Sequence, residues 1–275
     1  MNRPSIGIFD SGIGGLSVLR EINDLLPDET FHYFADQVHV PFGPRRLEEI
    51  RSFSEEITRF LLGLGAELIV IACNTASAAA LHYLREQFHG TPFVGMEPAV
   101  KPAALTSRSQ RVGVLATPST FQGELFASVV DRFAMGVEVF EQTLPGLVER
   151  IEEGDLFSHQ TSRILEEALH PLLEKNVDTL VLACTHYSFV IPTIQDIAGH
   201  DVTIIDPAPA VARQTKRLFD PLAQVRPKEG IGITNYYSSA DAEKLESTAR
   251  ELIQRGGVAK YVEWHDHILR SRDPD

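Results

Sequence analysis

Leu68-Ile69-Val70-Ile71-Ala72-Cys73-Asn74-Thr75-Ala76-Ser77 is an apolar, β-branched run of strand length that stops at a cysteine. The chain repeats it as Leu180-Val181-Leu182-Ala183-Cys184-Thr185-His186-Tyr187-Ser188. In both copies the cysteine is followed at once by small polar residues that donate hydrogen bonds or cap a helix. These are the only two cysteines in 275 residues. Two thiols at matching ends of two matching strands are expected to face each other across one site.

The repeat extends outward from the cysteines. Ile6-Gly7-Ile8-Phe9-Asp10-Ser11 aligns with Val112-Gly113-Val114-Leu115-Ala116-Thr117 at an offset of 106, and the cysteine motifs are offset by 111. Near-equal offsets over such distances point to an internal duplication. Strand-like runs at Ser5–Phe9, Thr30–Ala35, Leu68–Ala72 and Phe93–Met96 alternate with helical periodicity. Leu16, Leu19, Ile22 and Leu26 share one helix face, and a longer one carries Leu47, Ile50, Phe53, Ile57, Phe60, Leu61 and Leu64 up to Gly65. The pattern restarts with a strand at Arg111–Ala116, a helix over Phe121–Phe133, and strands at Val137–Phe140, before Cys184 and at Val202–Ile205. Such alternation predicts an α/β fold: two pseudo-twofold-related domains, each a mainly parallel sheet flanked by helices, with the site in the cleft between them. A helix from Asp206-Pro207 to Phe219, a Pro-containing linker, a strand at Ile231–Tyr236, a helix over Ala240–Gln254 and a strand at Lys260–Glu263 follow. This tail is expected to return to the first domain, giving boundaries of 1–97 plus 207–275 and 98–206. Arg270 to Asp275 reads as a frayed end.

Composition sets outer limits. With 43% hydrophobic and 23% charged residues the chain can build a full core, and no apolar run approaches a membrane span. A net charge of −13 argues against broad contact with nucleic acid or anionic membrane, yet leaves room for a small anion held by backbone N–H groups. Two cysteines far apart form no disulfide framework, which fits a reducing, cytoplasmic setting. No regulatory segment is expected before the first strand.

In open parallel sheets, ligands bind at the carboxyl ends of strands. Asp10, Ser11, Cys73, Asn74, Thr117, Cys184 and Thr185 all occupy such ends. A lone strand-end cysteine is usually a small buried hydrophobe; the matched pair argues otherwise. Cys73, Cys184 and His186 lack the close paired spacing of structural zinc, so no metal is expected. Nucleophilic thiol catalysis uses one cysteine and leaves the other unexplained. Proton transfer by two opposed thiols uses both, since a modest shift from about 8.5 poises a thiol near neutrality. His186, directly beyond a cysteine, is placed to tune it. Asp10 reads as a cap for the first helix, and the Gly-rich Asp10-Ser11-Gly12-Ile13-Gly14-Gly15 loop as backbone N–H groups offered to a carboxylate. It has neither a G-x-G-x-x-G fingerprint nor a P-loop lysine. His265 and His267 read as solvated, and Trp264 as packing.

Phe9-Asp10-Ser11-Gly12-Ile13-Gly14-Gly15-Leu16, Cys73-Asn74-Thr75-Ala76-Ser77, Gly95-Met96-Glu97-Pro98-Ala99 and Cys184-Thr185-His186-Tyr187 together resemble the aspartate/glutamate racemase superfamily, in particular its glutamate racemases, over most of the chain. The resemblance implies cofactor-independent interconversion of L- and D-glutamate in a homodimer, supplying D-glutamate for peptidoglycan, cell-wall biogenesis and cell shape. It also implies Cys73 and Cys184 as acid–base thiols, Asp10 assisting the first, and His186 and Glu152 assisting the second. Ser11, Pro41, Phe42, Gly43, Asn74, Thr75, Thr117, Thr185 and His186, with Asp10, would hold substrate, and Asp36 matches the family's acidic residue ahead of the turn. The family's usual Pro-Tyr-Gly is here Pro41-Phe42-Gly43, and Ser188 stands where proline is common. The missing hydroxyl keeps aspartate or another amino acid open as substrate. A thiol hydrolase or lyase, and a bilobal amino-acid-binding protein, are the readings outside racemases.

Overall fold

The computed structural model describes residues 4–224, 232–254 and 256–271. The chain begins with β1 (Ser5–Asp10), α1 (Leu16–Leu25), β2 (Thr30–Ala35), α2 (Leu47–Gly63), β3 (Ala66–Ile71), α3 (Asn74–Gln87) and β4 (Phe93–Gly95). It continues with α4 (Val100–Thr106), β5 (Arg111–Ala116), α5 (Pro118–Gln122), α6 (Glu124–Phe133), β6 (Glu138–Gln142), α7 (Leu147–Glu152) and α8 (His159–Glu174). Then come β7 (Thr179–Ala183), a 3-10 turn at Thr185–Val190, α9 (Ile191–Ala198), β8 (Thr203–Ile205) and α10 (Ala208–Gln224). Last are β9 (Thr234–Ser238), α11 (Ala242–Ile253), β10 (Val258–His265) and β11 (Ile268–Ser271).

The strands form two sheets, ordered β11-β10-β9-β2-β1-β3-β4 and β6-β5-β7-β8. The run β2-β1-β3-β4 and the whole second sheet share one parallel order, strand for strand. The duplication reaches single contacts. A Cβ on Gly7 would meet Leu61, Ala66 and Ile69; one on Gly113 would meet Leu172, Val177 and Leu180, each 111 residues further on. In both sheets the glycine makes room for side chains from the neighbouring strand and from the helix that precedes that strand.

Strand residues are buried on both faces, as parallel sheets between helices require. One core runs unbroken from α1, α10 and α11 over Ile6, Ile8, Tyr33 and Val70 to Leu180, Leu182 and the inner face of α8. Phe9, Phe34, Ile69 and Ile71 face α2 and α3 instead, and Val112, Val114 and Val181 face α4 and α6. Each such buried side chain contributes roughly 1.5–3 kcal/mol. Because one core joins both sheets, the cleft between their strand ends is set by packing.

Several expectations are corrected. The helix over Phe121–Phe133 breaks at Gly123, whose extended backbone separates α5 from α6 and whose Cα lies against Ala78 of α3. The helix after Pro207 passes Phe219 and takes Pro221 into its last turn. Arg270 is not frayed: it pairs with Glu263 in an antiparallel β10–β11 hairpin, closed by Asp266 and His267 at positive φ. Residues 272–275, the linker at 225–231 and with it the Ile231 start of the expected strand lie outside the described residues.

Candidate active site

Cys73 ends the β3 connection and caps α3, its sulfur accepting the Ala76 N–H at 3.4 Å. Cys184 stands at the corresponding end of β7, where the chain turns into the 3-10 segment. Both are free, nearly buried, and line one narrow cleft. Ser11, Asn74, Thr75, Thr117, Thr185 and His186 complete its polar wall; Pro41, Phe42, Gly43 and Val148 close the rest.

Each sulfur is backed by a hydroxyl or imidazole and then a carboxylate. The Cys73 thiol points at Ser11 Oγ, 3.9 Å away, and Ser11 donates to Asp10 Oδ1 at 3.0 Å. Cys184 Sγ lies 3.9 Å from His186 Nδ1, and His186 Nε2 lies 2.6 Å from Glu152 Oε1. Tyr187 is buried in the same core cluster as Cys184. The two systems are cross-linked. Thr185, beside Cys184, donates to Asp10 Oδ2 at 2.8 Å, while the Ile13 N–H donates to Glu152 Oε1 at 2.8 Å. Each carboxylate is thus held by a donor from the other sheet's loops.

Electrostatics separate the two sides. Burial, then the charge of Asp10, push the Cys73 thiol well up; the Ala76 N–H opposes them. Burial likewise raises Asp10, against the His186 charge and its Thr185, Gly12 and Ser11 donors. Burial works against a charged His186, but its bonds to Cys184 and Glu152 prevail and hold it well above the ordinary histidine value. Burial also works against Glu152, yet His186 and the Ile13 N–H keep its carboxyl low. Cys73 therefore carries a proton beside a carboxyl, whereas Cys184 has an imidazolium for a neighbour.

The Gly-rich loop serves these groups in a different way from the one expected. The carboxylates its N–H groups meet are the protein's own: Gly12 donates to Asp10 Oδ1 at 3.0 Å and Ile13 to Glu152. A Cβ on Gly12 would lie 1.9 Å from Glu152 Oε1, and one on Gly14 2.5 Å from His186 Nδ1. Asp10 does not cap α1; Gly15 holds that position without a side-chain bond. Thr117 caps nothing with its hydroxyl either. It forms a buried triangle with Thr75 at 2.8 Å and Thr120 at 3.0 Å. Asn74 is the exception to this satisfaction: both polar atoms of its buried amide lack a partner.

Of the residues the resemblance placed at the site, all line the cleft except Asp10, which lies buried behind Ser11, and Glu152. Glu152 stands behind His186 and does not line the cleft. Sequence reasoning missed Thr120, whose signal was its spacing of three from Thr117. It also missed Val148, and Gln37, whose Nε2 lies 3.5 Å from Glu152 Oε2. Neither carried a motif. Among the described residues, no group of three or more His, Cys, Asp or Glu side chains could hold a metal ion.

Two thiols stand at equivalent strand ends of a duplicated α/β fold, one backed by a hydroxyl and a carboxylate, the other by an imidazole and a carboxylate, an arrangement suited to two opposed proton transfers. The chain belongs to the Asp/Glu/hydantoin racemase family, whose model matches residues 6–215. It is 49% identical over 242 residues to a glutamate racemase of Pseudomonas aeruginosa, covering 88% of this chain and 91% of that one. To a glutamate racemase of Roseiflexus sp. it is 52% identical over 248 residues, covering 90% and 91%. The crystal structure of glutamate racemase from Francisella tularensis in complex with D-glutamate matches with a TM-score of 0.82 at 29% identity, over 95% of this chain and 98% of that one.

Proposed function

We propose that this protein interconverts L- and D-glutamate without an added cofactor, by proton transfer at Cα between two thiols. Cys73 and Cys184 are the acid–base pair; one removes the Cα proton as thiolate while the other delivers a proton to the opposite face. The observation that carries this reading is the placement of both sulfurs on one cleft at duplicated strand ends. The glutamate racemases to which the chain is 49–52% identical supply the substrate. Asp10, through Ser11, exchanges a proton with Cys73, and His186, held cationic by Glu152, does so with Cys184. Hydrogen-bond donors fixed in the narrow cleft stabilise the charge that develops on the substrate carboxylate. The Asn74 amide and the Thr75 and Thr117 hydroxyls are those donors; Ser11 and Thr185, whose hydroxyls bond Asp10, border the substrate, and Pro41, Phe42 and Gly43 shape the wall. The domains divide as 1–97 plus 207–275 and 98–206. The chain works in the cytoplasm as a homodimer and feeds D-glutamate to peptidoglycan synthesis.

The test is chiral chromatography after incubation of purified protein with L-glutamate, D-glutamate or L-aspartate, each alone. Both glutamate reactions are expected to converge on equal amounts of the two enantiomers. Conversion of aspartate alone moves the substrate and keeps the chemistry. Cleavage products, or binding without turnover, contradict the reading.

A further inference from the structure

Asp36 is fully buried and lies in the loop after β2, ahead of the Pro41-Phe42-Gly43 turn that lines the cleft. Its Oδ1 accepts the Ser239 hydroxyl at 2.9 Å and the indole N–H of Trp264 at 2.8 Å; its Oδ2 lies 2.9 Å from His39 Nδ1. Trp264, in β10, is the only tryptophan in the chain, and 228 residues separate it from that carboxylate. The His39 ring lies flat on Phe53 at 3.9 Å, and the indole meets both rings edge-on at 5.1 and 5.7 Å. Phe53 in turn packs against Phe42, ring centres 5.8 Å apart. Arg45 donates to the His39 carbonyl at 2.6 Å, and Ser119 of α5 ties down the Gly43 and Arg45 carbonyls.

These contacts form one continuous brace from the C-terminal hairpin to the back of the cleft wall. The hairpin is itself pinned, since the Leu269 N–H donates to Glu56 of α2 at 3.1 Å. The indole N–H is spent on a buried carboxylate that belongs to the loop leading into the cleft wall. We propose that Trp264 is a positioning residue for substrate binding: through Asp36, His39 and Phe53 it sets the Phe42–Gly43 wall against which the amino acid is held. The proposal rests on the reading of the cleft as the racemase site. Trp264 touches neither sulfur, so it acts on affinity and leaves proton transfer alone.

Steady-state kinetics of Trp264→Phe, which keeps an aromatic ring and removes the N–H, test this. KM for both glutamate enantiomers is expected to rise about five- to tenfold, with kcat within about twofold of the unsubstituted protein. Trp264→His, which can restore an N–H donor, is expected to recover part of the loss. A role confined to stability would lower melting temperature and active fraction, and so kcat, while leaving KM in place. Should Trp264→Phe not fold, Ser239→Ala removes another donor from the same oxygen and is expected to raise KM likewise. An unchanged KM in the variant that folds overturns the proposal. Failure of the unsubstituted protein to racemise glutamate would overturn the functional reading first, and this proposal with it.

Discussion

Glu152 Oε1 lies 2.6 Å from His186 Nε2 and so sets a buried ion pair directly behind Cys184. His186 is raised above 6.5 in the fold, so its stabilising contribution is complete below that pH and fades as pH rises through the folded value. Glu152 is lowered from 4.5, so its contribution is complete above that pH and fades as pH falls through the folded value. The pair therefore contributes fully between about pH 4.5 and 6.5 and still in part at neutrality. Glu152→Gln leaves His186 without its carboxylate. The alkaline limb of kcat/KM is expected to move to lower pH, with kcat reduced at least about tenfold. A pH–rate profile superimposable on that of the unsubstituted protein would contradict this role.

Gly14 holds open the space into which His186 and Thr185 fit. A Cβ there would sit 2.5 Å from His186 Nδ1 and 2.6 Å from Thr185 Oγ1, the hydroxyl bonded to Asp10. Gly14→Ala must displace both, and misplacement of an acid–base group by an ångström costs on the order of a hundredfold in rate. We expect kcat to fall by about that factor while circular dichroism shows the α/β fold retained.

The repeated Cys strands, the Gly-rich loop and the order of the first eight strands were legible because each is local: a β-branched run, a small-residue turn, a period. The structure carries the 111-residue spacing of the cysteines down to the side chains that crowd Gly7 and Gly113. What was illegible was the tertiary part. Nothing near Ile13 announces that its N–H belongs to Glu152, 139 residues on, or near Trp264 that its indole reaches Asp36. The β10–β11 hairpin hid behind His265-Asp266-His267, which reads as solvated sequence because positive φ at Asp266 and His267 leaves no glycine as a sign. Gly123 broke a helix whose periodicity ran through it, because α3 lies too close there for a side chain.

Asn74 separates binding from stability. Its amide is buried with neither polar atom paired, a state that destabilises the empty protein. Asn74→Ala should raise KM for glutamate about tenfold, yet leave the melting temperature of the ligand-free protein equal or higher. Thermal denaturation with and without glutamate reads both effects. A fall in ligand-free melting temperature with unchanged KM would assign Asn74 to the fold instead.

His32 is a buried group with no part in the site. Burial lowers it to about 4 from an ordinary 6.5, and its Nδ1 has no partner. The neutral form is the folded form. Stability from this residue is thus complete above pH 6.5 and is lost as pH falls toward 4, by on the order of 3 kcal/mol. His32→Phe should flatten the fall in urea-unfolding stability between pH 7 and 4.5. An equally steep fall would show that other groups govern acid lability.

The central claim is that two thiols act from opposite faces of one carbon. Proton NMR of L-glutamate turned over in D₂O tests it most directly. The account predicts D-glutamate deuterated at Cα from the first turnovers, with remaining L-glutamate still protonated, and no racemisation by Cys73→Ala or Cys184→Ala. Early deuterium in the recovered L-glutamate, or racemisation by a variant lacking both thiols, would contradict it.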